Sequence, residues 1–172
     1  MRILGIDPGF GRTGYGVIDT AHGLAAIEYG CIETAPHTPT GERLRDIYEA
    51  VTDIIVRQKP DVAAIEQLFF NRNVTTAFTA SEARGVVVLA AEMAAVPQTA
   101  YTPMQVKQAV VGYGRAEKSQ VQEMVRVLLG LQAAPKPDDV ADALAVAIAH
   151  AHSSPFLARV KQTREGLGRG SV

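Results

Sequence analysis

The 172-residue chain has one cysteine, Cys31, no tryptophan and only 6% aromatic residues. A single thiol excludes an intramolecular disulfide framework and a cysteine-based zinc cluster. No apolar run approaches the ~18 residues of a bilayer-spanning helix. The start, Met1-Arg2-Ile3-Leu4-Gly5-Ile6-Asp7, puts an acid and a glycine-rich stretch where a secretory signal would be apolar. These absences predict a soluble, cytoplasmic protein. Net charge is also scarce, at -1 with a pI near 6.4, which argues against coating nucleic acid by bulk charge alone. The balance is uneven along the chain. Residues 1–100 hold 12 acids and 8 bases, whereas residues 101–172 hold 6 acids and 9 bases. An acidic site beside a basic, phosphate-binding segment fits that distribution.

A core is available. Hydrophobic residues are 47% and charged residues 20%, which rules out a disordered or collagen-like chain. At a prior of ~150 residues per domain the length suits one domain, placed at 1–155, with a basic, mobile tail at 156–172. Ile3 to Asp7, Tyr15 to Asp19 and Leu24 to Thr34 read as three strands split by turn residues, an antiparallel meander. Thr40 to Arg57 changes to helical spacing, with Leu44, Ile47, Tyr48, Val51, Ile54 and Ile55 on one face. Val62 to Glu66 then reads as a buried strand, parallel to the first because a helix separates them. Asn73 to Ala95 predicts a long helix, apolar all round in its second half and therefore covered on more than one side. Gly85 within it suggests a close backbone approach. Val86, Val87 and Leu89 are expected to line a subunit interface or the core beneath it. Gln98 to Tyr101 predicts a fifth strand. Thr102-Pro103-Met104-Gln105 predicts a capped helix start. A helix around Val121 to Leu129 and a last one from Asp138 to about His152 complete a mixed α/β domain.

One motif misleads. Gly9-Phe10-Gly11-Arg12-Thr13-Gly14 matches a dinucleotide-binding G-x-G-x-x-G, but that site needs a helix next, and Tyr15 to Asp19 is a strand. These glycines are read as serving a hairpin. The acids carry more. Asp7 and Glu66 each close a strand, and sites in open α/β sheets form beyond the carboxyl ends of parallel strands. Asp139 and Asp142 stand at i and i+3 on the last helix and so share a face, while Asp138 is assigned to its cap. Carboxylates converging with no base between them repel, and hard divalent cations such as Mg²⁺ or Mn²⁺ resolve the repulsion. Two such ions about 3.5–4 Å apart suit an in-line phosphoryl displacement. Lys107, Arg115 and Lys118 lie where a phosphate could be met. Lys118 opposes its own helix dipole, which suggests that it answers to another charge. Arg72 and Arg84 are weaker candidates of the same kind. Phe69 admits two readings, stacking on an unpaired base or packing its loop, and Phe70 reads as buried. The histidines sit in turns or near a helix end, and Cys31 reads as core.

The segments Gly5-Ile6-Asp7-Pro8-Gly9, Ala64-Ile65-Glu66-Gln67, Gln105-Val106-Lys107-Gln108, Ala116-Glu117-Lys118-Ser119-Gln120-Val121-Gln122 and Asp139-Val140-Ala141-Asp142-Ala143-Leu144-Ala145 resemble the RuvC family of Holliday-junction resolvases. The resemblance runs from about residue 2 to 152. It implies a ribonuclease-H-like fold with a mixed five-stranded sheet. It also implies a homodimer that nicks four-way DNA junctions at two symmetric positions with Mg²⁺ or Mn²⁺, two ions per site. A branch-migration motor of the RuvA–RuvB type is the implied partner, and recombination and repair the implied setting. Asp7, Glu66, Asp139 and Asp142 match the family's catalytic, metal-binding acids. Lys107 and Lys118 match lysines near the scissile phosphate, and Phe69 an aromatic associated with opened junction DNA. Phe69, Arg72, Lys107, Arg115 and Lys118 are thus the expected DNA contacts. The alternatives are a ribonuclease-H-like nuclease for another structured nucleic acid, a junction-binding module without catalysis, and an ATP-using sugar-kinase-like or actin-like domain. The last needs a second lobe that this length does not supply, and unneutralised acids argue against the binding module.

Overall fold

The computed structural model describes residues 1–68 and 74–168, with side chains from 1–68 and 77–153. Three strands open the chain, β1 (Arg2–Asp7), β2 (Arg12–Asp19) and β3 (Ala25–Glu33). Next come α1 (Thr40–Gln58), β4 (Val62–Glu66), α2 (Val74–Met93) and β5 (Gln98–Tyr101). Three helices follow, α3 (Pro103–Val111), α4 (Lys118–Leu128) and α5 (Asp138–Gly168). One sheet forms in the order β3-β2-β1-β4-β5. The β1–β2 and β2–β3 pairs are antiparallel, and β1–β4 and β4–β5 are parallel. This is the mixed five-stranded sheet expected from the meander and the helical crossover.

The two-residue period of the strands sorts the core into two layers. Leu4, Ile6, Val17, Ala63 and Ile65 face α1 and α2, packing with Ile47, Val51, Ala83 and Val87. Ile3, Ile18, Val62 and Ala64 face α3, α4 and α5, packing with Val106, Val125, Leu144 and Ile148. Asp7 is in phase with Ile3, and Glu66 with Val62 and Ala64. Strand period alone therefore turns both acids toward the α5 layer.

The α5 helix lies close against the sheet. From Val140 to Ala149 every residue except Asp142 is buried. Glycines make room for it: a β-carbon at Gly5 would stand 2.1 Å from the Ala143 carbonyl oxygen, one at Gly14 1.9 Å from that of Asp139, and one at Gly16 2.5 Å from Leu144 Cδ2. The glycines of the false dinucleotide motif thus belong to a hairpin, with Gly14 opposite Asp7 as the seat of the α5 N-terminus. At α3, Thr102 and Gln105 form the expected capping box, and Gly112, with φ of 93°, ends the helix.

Three expectations are corrected. The last helix does not end near His152 but runs to Gly168. Leu157, Ala158, Arg159 and Lys161 beyond His152 favour helix. Asp138 is not the cap but the first helical residue, its carboxylate drawn to Lys136 Nζ at 3.3 Å and Lys118 Nζ at 3.6 Å. Gly85 serves no close backbone approach among the described residues. It is exposed, and an added β-carbon would meet nothing within 4 Å.

Candidate active site

Parallel register brings the first two acids together. Ile6 pairs with Ile65, so the next residues, Asp7 and Glu66, emerge side by side. A side-chain hydrogen bond joins them. Two carboxyls can bond only if one keeps its proton. Burial pushes Asp7 up to about 6, helped by Asp142 and Asp139 and opposed by its bond to Glu66 and by Lys118. Burial also pushes Glu66 up to about 9, with the charge and hydrogen bond of Asp7 and the charge of Asp142 adding to it. Burial and mutual repulsion thus favour one proton retained between Asp7 and Glu66.

The helix acids complete the cluster from above. Asp139 and Asp142 sit in the first turns of α5, which Gly14 and Gly5 hold against β1 and β2. Burial raises Asp142, while Lys118 opposes the rise. Lys118 Nζ donates to Asp142 Oδ2 at 2.9 Å. Burial pulls the Lys118 ammonium down, but its bond to Asp142 and the charges of Asp142 and Asp138 outweigh this and raise it. Here is the charge to which Lys118 answers, a carboxylate across the α4–α5 interface. Glu66, Asp142, Lys118 and Lys107 line one cavity of about 270 Å³, walled by Pro103, Val106, Val121 and Ala145.

The expectation that no base stands among the acids is overturned. Besides Lys118, Arg12 approaches Asp139, with Nε 3.3 Å from Oδ2. That oxygen is buried and has no aligned hydrogen bond. Arg12 went unnoticed because it lay inside the false dinucleotide motif. Its signal was the hairpin pairing, which sets it two residues from the Gly14 that faces Asp7. Arg84 is a second basic residue at the edge, donating from Nε to the Glu66 carbonyl at 3.3 Å. Arg115 is exposed in the α3–α4 connection, outside the residues that line the cavity. Phe69, Phe70 and Arg72 lie outside the described residues. His150 is a buried core residue, its Nδ1 2.9 Å from Tyr101 Oη, and burial lowers its pKa.

Would a divalent cation fit? Among the described residues, no group of three or more acids, histidines or cysteines already stands ready to hold an ion. Asp142 and Asp139 are engaged by Lys118 and Arg12 instead. The donor set is nevertheless all carboxylate oxygen, the kind that Mg²⁺ and Mn²⁺ take. Four carboxyls meet only two basic groups, Lys118 and Arg12, and burial raises Asp7, Glu66 and Asp142, so the cluster is short of positive charge. The residues fit a hard cation in kind.

Comparison with known proteins places the whole domain in one family. The family model described as crossover junction endodeoxyribonuclease RuvC matches residues 3–150. A protein of that name from Brevibacillus brevis is 55% identical over 158 residues, covering 91% of this chain and 95% of its own. Another from Heliobacterium modesticaldum is 58% identical over 154 residues, covering 89% and 95%. Thermus thermophilus RuvC in complex with a Holliday junction substrate superposes with a TM-score of 0.86 at 40% identity, covering 91% of this chain and 96% of that one. The yeast mitochondrial Holliday junction resolvase, at 13% identity and a TM-score of 0.64, shares the fold. With the family match spanning all five strands and all four acids, the chain belongs to the crossover junction endodeoxyribonuclease RuvC family.

Proposed function

We propose that this protein is a structure-selective endodeoxyribonuclease that resolves four-way DNA junctions by paired, symmetric, metal-dependent nicks in recombination and repair. The observation that carries the reading is the convergence of Asp7, Glu66 and Asp142 with Lys118 at the carboxyl ends of two parallel strands. Asp7, Glu66, Asp139 and Asp142 would hold Mg²⁺ or Mn²⁺, two ions per site. When bound, such ions supply a water of lowered pKa and stabilise charge on the leaving oxygen. The chain's own residues do the rest. Lys118 and Lys107 face the cavity and offset charge that develops on the phosphate. Val106, Val121 and Ala145 form the apolar wall on that side. Loss of the proton shared by Asp7 and Glu66 readies both acids for ligation.

The homodimer follows from substrate symmetry, since two equal nicks need two equal sites. α2 leaves Phe78, Leu89 and Met93 exposed, with Val86 half-buried and Val87 fully buried in the core below, which supports that helix as the subunit contact. Partnership with a branch-migration motor and a cytoplasmic location belong to the same reading. Among the described residues no helix is long and apolar enough to cross a membrane.

The test incubates purified protein with labelled four-way junctions, matched duplex and single strands in Mg²⁺, Mn²⁺ or EDTA. Paired nicks are expected in junctions only and with metal only. Asp7→Asn is expected to lower nicking by more than ~100-fold while leaving junction binding nearly intact. Nicking retained by that variant overturns the metal assignment. Binding without nicking across several junction sequences favours a non-catalytic module.

A further inference from the structure

The β1–β2 turn is held unusually firmly for a surface hairpin. Thr13, fully buried, donates from Oγ1 to the Gly9 carbonyl at 2.7 Å. Thr34 N donates to the Gly11 carbonyl at 3.1 Å, and Thr34 Oγ1 to that of Phe10 at 2.6 Å. Arg43 covers the Phe10 ring at 3.9 Å and also donates to the Phe10 carbonyl at 3.2 Å. From this rigid tip Arg12 projects with its side chain 55% exposed. Among the described residues it makes no hydrogen bond, only the 3.3 Å approach of Nε to Asp139 Oδ2. An arginine fixed at its root, with its donors unused, is matched to a planar anion such as a backbone phosphate.

The two helix acids are held unequally. Asp142 has a true hydrogen bond from Lys118, whereas Asp139 has a misaligned, half-exposed contact that contributes little. Such a contact exchanges readily. Asp139 cannot serve a cation fully while a guanidinium crowds the same oxygen, and a cation beside it would repel Arg12.

We propose that Arg12 is a metal-responsive DNA-binding residue: it neutralises Asp139 while the acid cluster holds no cation, and passes to a junction phosphate once Asp139 turns to a divalent ion. The inference rests on the nuclease reading above. It gives the protein a phosphate contact that forms only at a loaded site, and so couples tight DNA engagement to readiness for cleavage. Arg12 from β2 and Lys118 from α4 would then meet the DNA backbone from different elements.

Native protein, Arg12→Gln, Arg12→Lys and Arg45→Gln are compared. Arg45 pairs with Asp46 and Glu49, so its variant removes the same charge without touching Asp139. Junction binding is followed by fluorescence anisotropy in EDTA and in Ca²⁺, an oxygen-ligated cation, with denaturing gels to show intact strands. Mn²⁺ binding without DNA is followed by calorimetry. In Ca²⁺, Arg12→Gln is expected to weaken junction binding roughly 5-fold and to lower the salt slope by about 1, while Arg12→Lys and Arg45→Gln change it less. In EDTA its binding stays within about twofold of native, because the contact is not yet made. Arg12→Gln is also expected to bind Mn²⁺ more tightly than native, whereas Arg45→Gln does not. Unchanged junction affinity in Ca²⁺, an equal loss in EDTA and Ca²⁺, or unchanged Mn²⁺ affinity each overturns the proposal. Native protein is assayed alongside for nicking in Mg²⁺ and Mn²⁺: failure there sinks the nuclease reading, whereas native nicking with an indifferent Arg12→Gln sinks only the role of Arg12.

Discussion

The two strand acids and the two helix acids sit in one cluster but manage their charge by different means. Asp7 and Glu66 end neighbouring strands and share a proton, because burial and mutual repulsion make two bare carboxylates costly. Asp142 and Asp139 ride on α5 and are each met by a base, Lys118 and Arg12. The strand pair thus draws its positive charge from solvent, as a proton. The helix pair draws it from other elements of the fold. The first arrangement responds to pH, the second to whatever competes for Lys118 and Arg12, a phosphate or a metal ion alike. A site built from both keeps its acids in place before the reaction partners arrive, without a permanent counter-ion in the middle.

Gly14→Val attacks the comparison most directly, since it drives the helix acids away from the strand acids. Its β-carbon would need the space of the Asp139 carbonyl, 1.9 Å away. A stability loss of ~3 kcal/mol or more is expected by urea titration, at the upper end for overpacking, together with loss of nicking. A variant of native stability and activity would show that the α5 N-terminus tolerates displacement. Lys118→Gln comes next, because it strips the helix pair of its better base. Nicking at saturating junction is expected to fall about 100-fold, the scale of a lost donor at developing charge, with binding reduced far less. An equal loss in binding and rate would assign Lys118 to DNA affinity alone.

Glu66→Gln sharpens the comparison with the smallest effect. The folded pKa values of Asp7 and Glu66 are raised, so the native state holds more protons than the unfolded chain. Stability from this pair is therefore complete at low pH and is lost as pH rises from about 4 through about 6 and then about 9. Glutamine removes the repulsion. In EDTA at pH 9 the variant should melt higher than native, by roughly 2–4 °C for each kcal/mol relieved, and the gap should close at pH 5. A gap that does not depend on pH would remove the shared proton from the account.

Much of this was legible from residue order. Strands show their period, and an acid closing an apolar strand is conspicuous because burying it needs a reason. The helical crossover forced β4 parallel to β1, which set Asp7 beside Glu66. The i, i+3 spacing aligned Asp139 with Asp142. What sequence concealed was side-chain partnership across elements. Nothing local to Arg12 points to Asp139, and nothing local to Lys118 names Asp142, since both pairs exist only after α5 settles on β2 and α4. Asp138 shows the same limit from the other side. Its position just after Pro137 suggested a cap, but two nearby lysines claimed its carboxylate. The reach of α5 past His152 was not read from its sequence.

The α5 helix serves both the acid cluster and the core. Its first turns carry two of the acids, and the residues directly behind them, Ala143 to Ala149, are all buried. The end that carries the acids and the buried middle are a single rod, seated by backbone contact over Gly5 and Gly14. Displacing the first turns therefore also disturbs the packing of that rod against the sheet. Mounting two acids on such a rod ties their position to the integrity of the core.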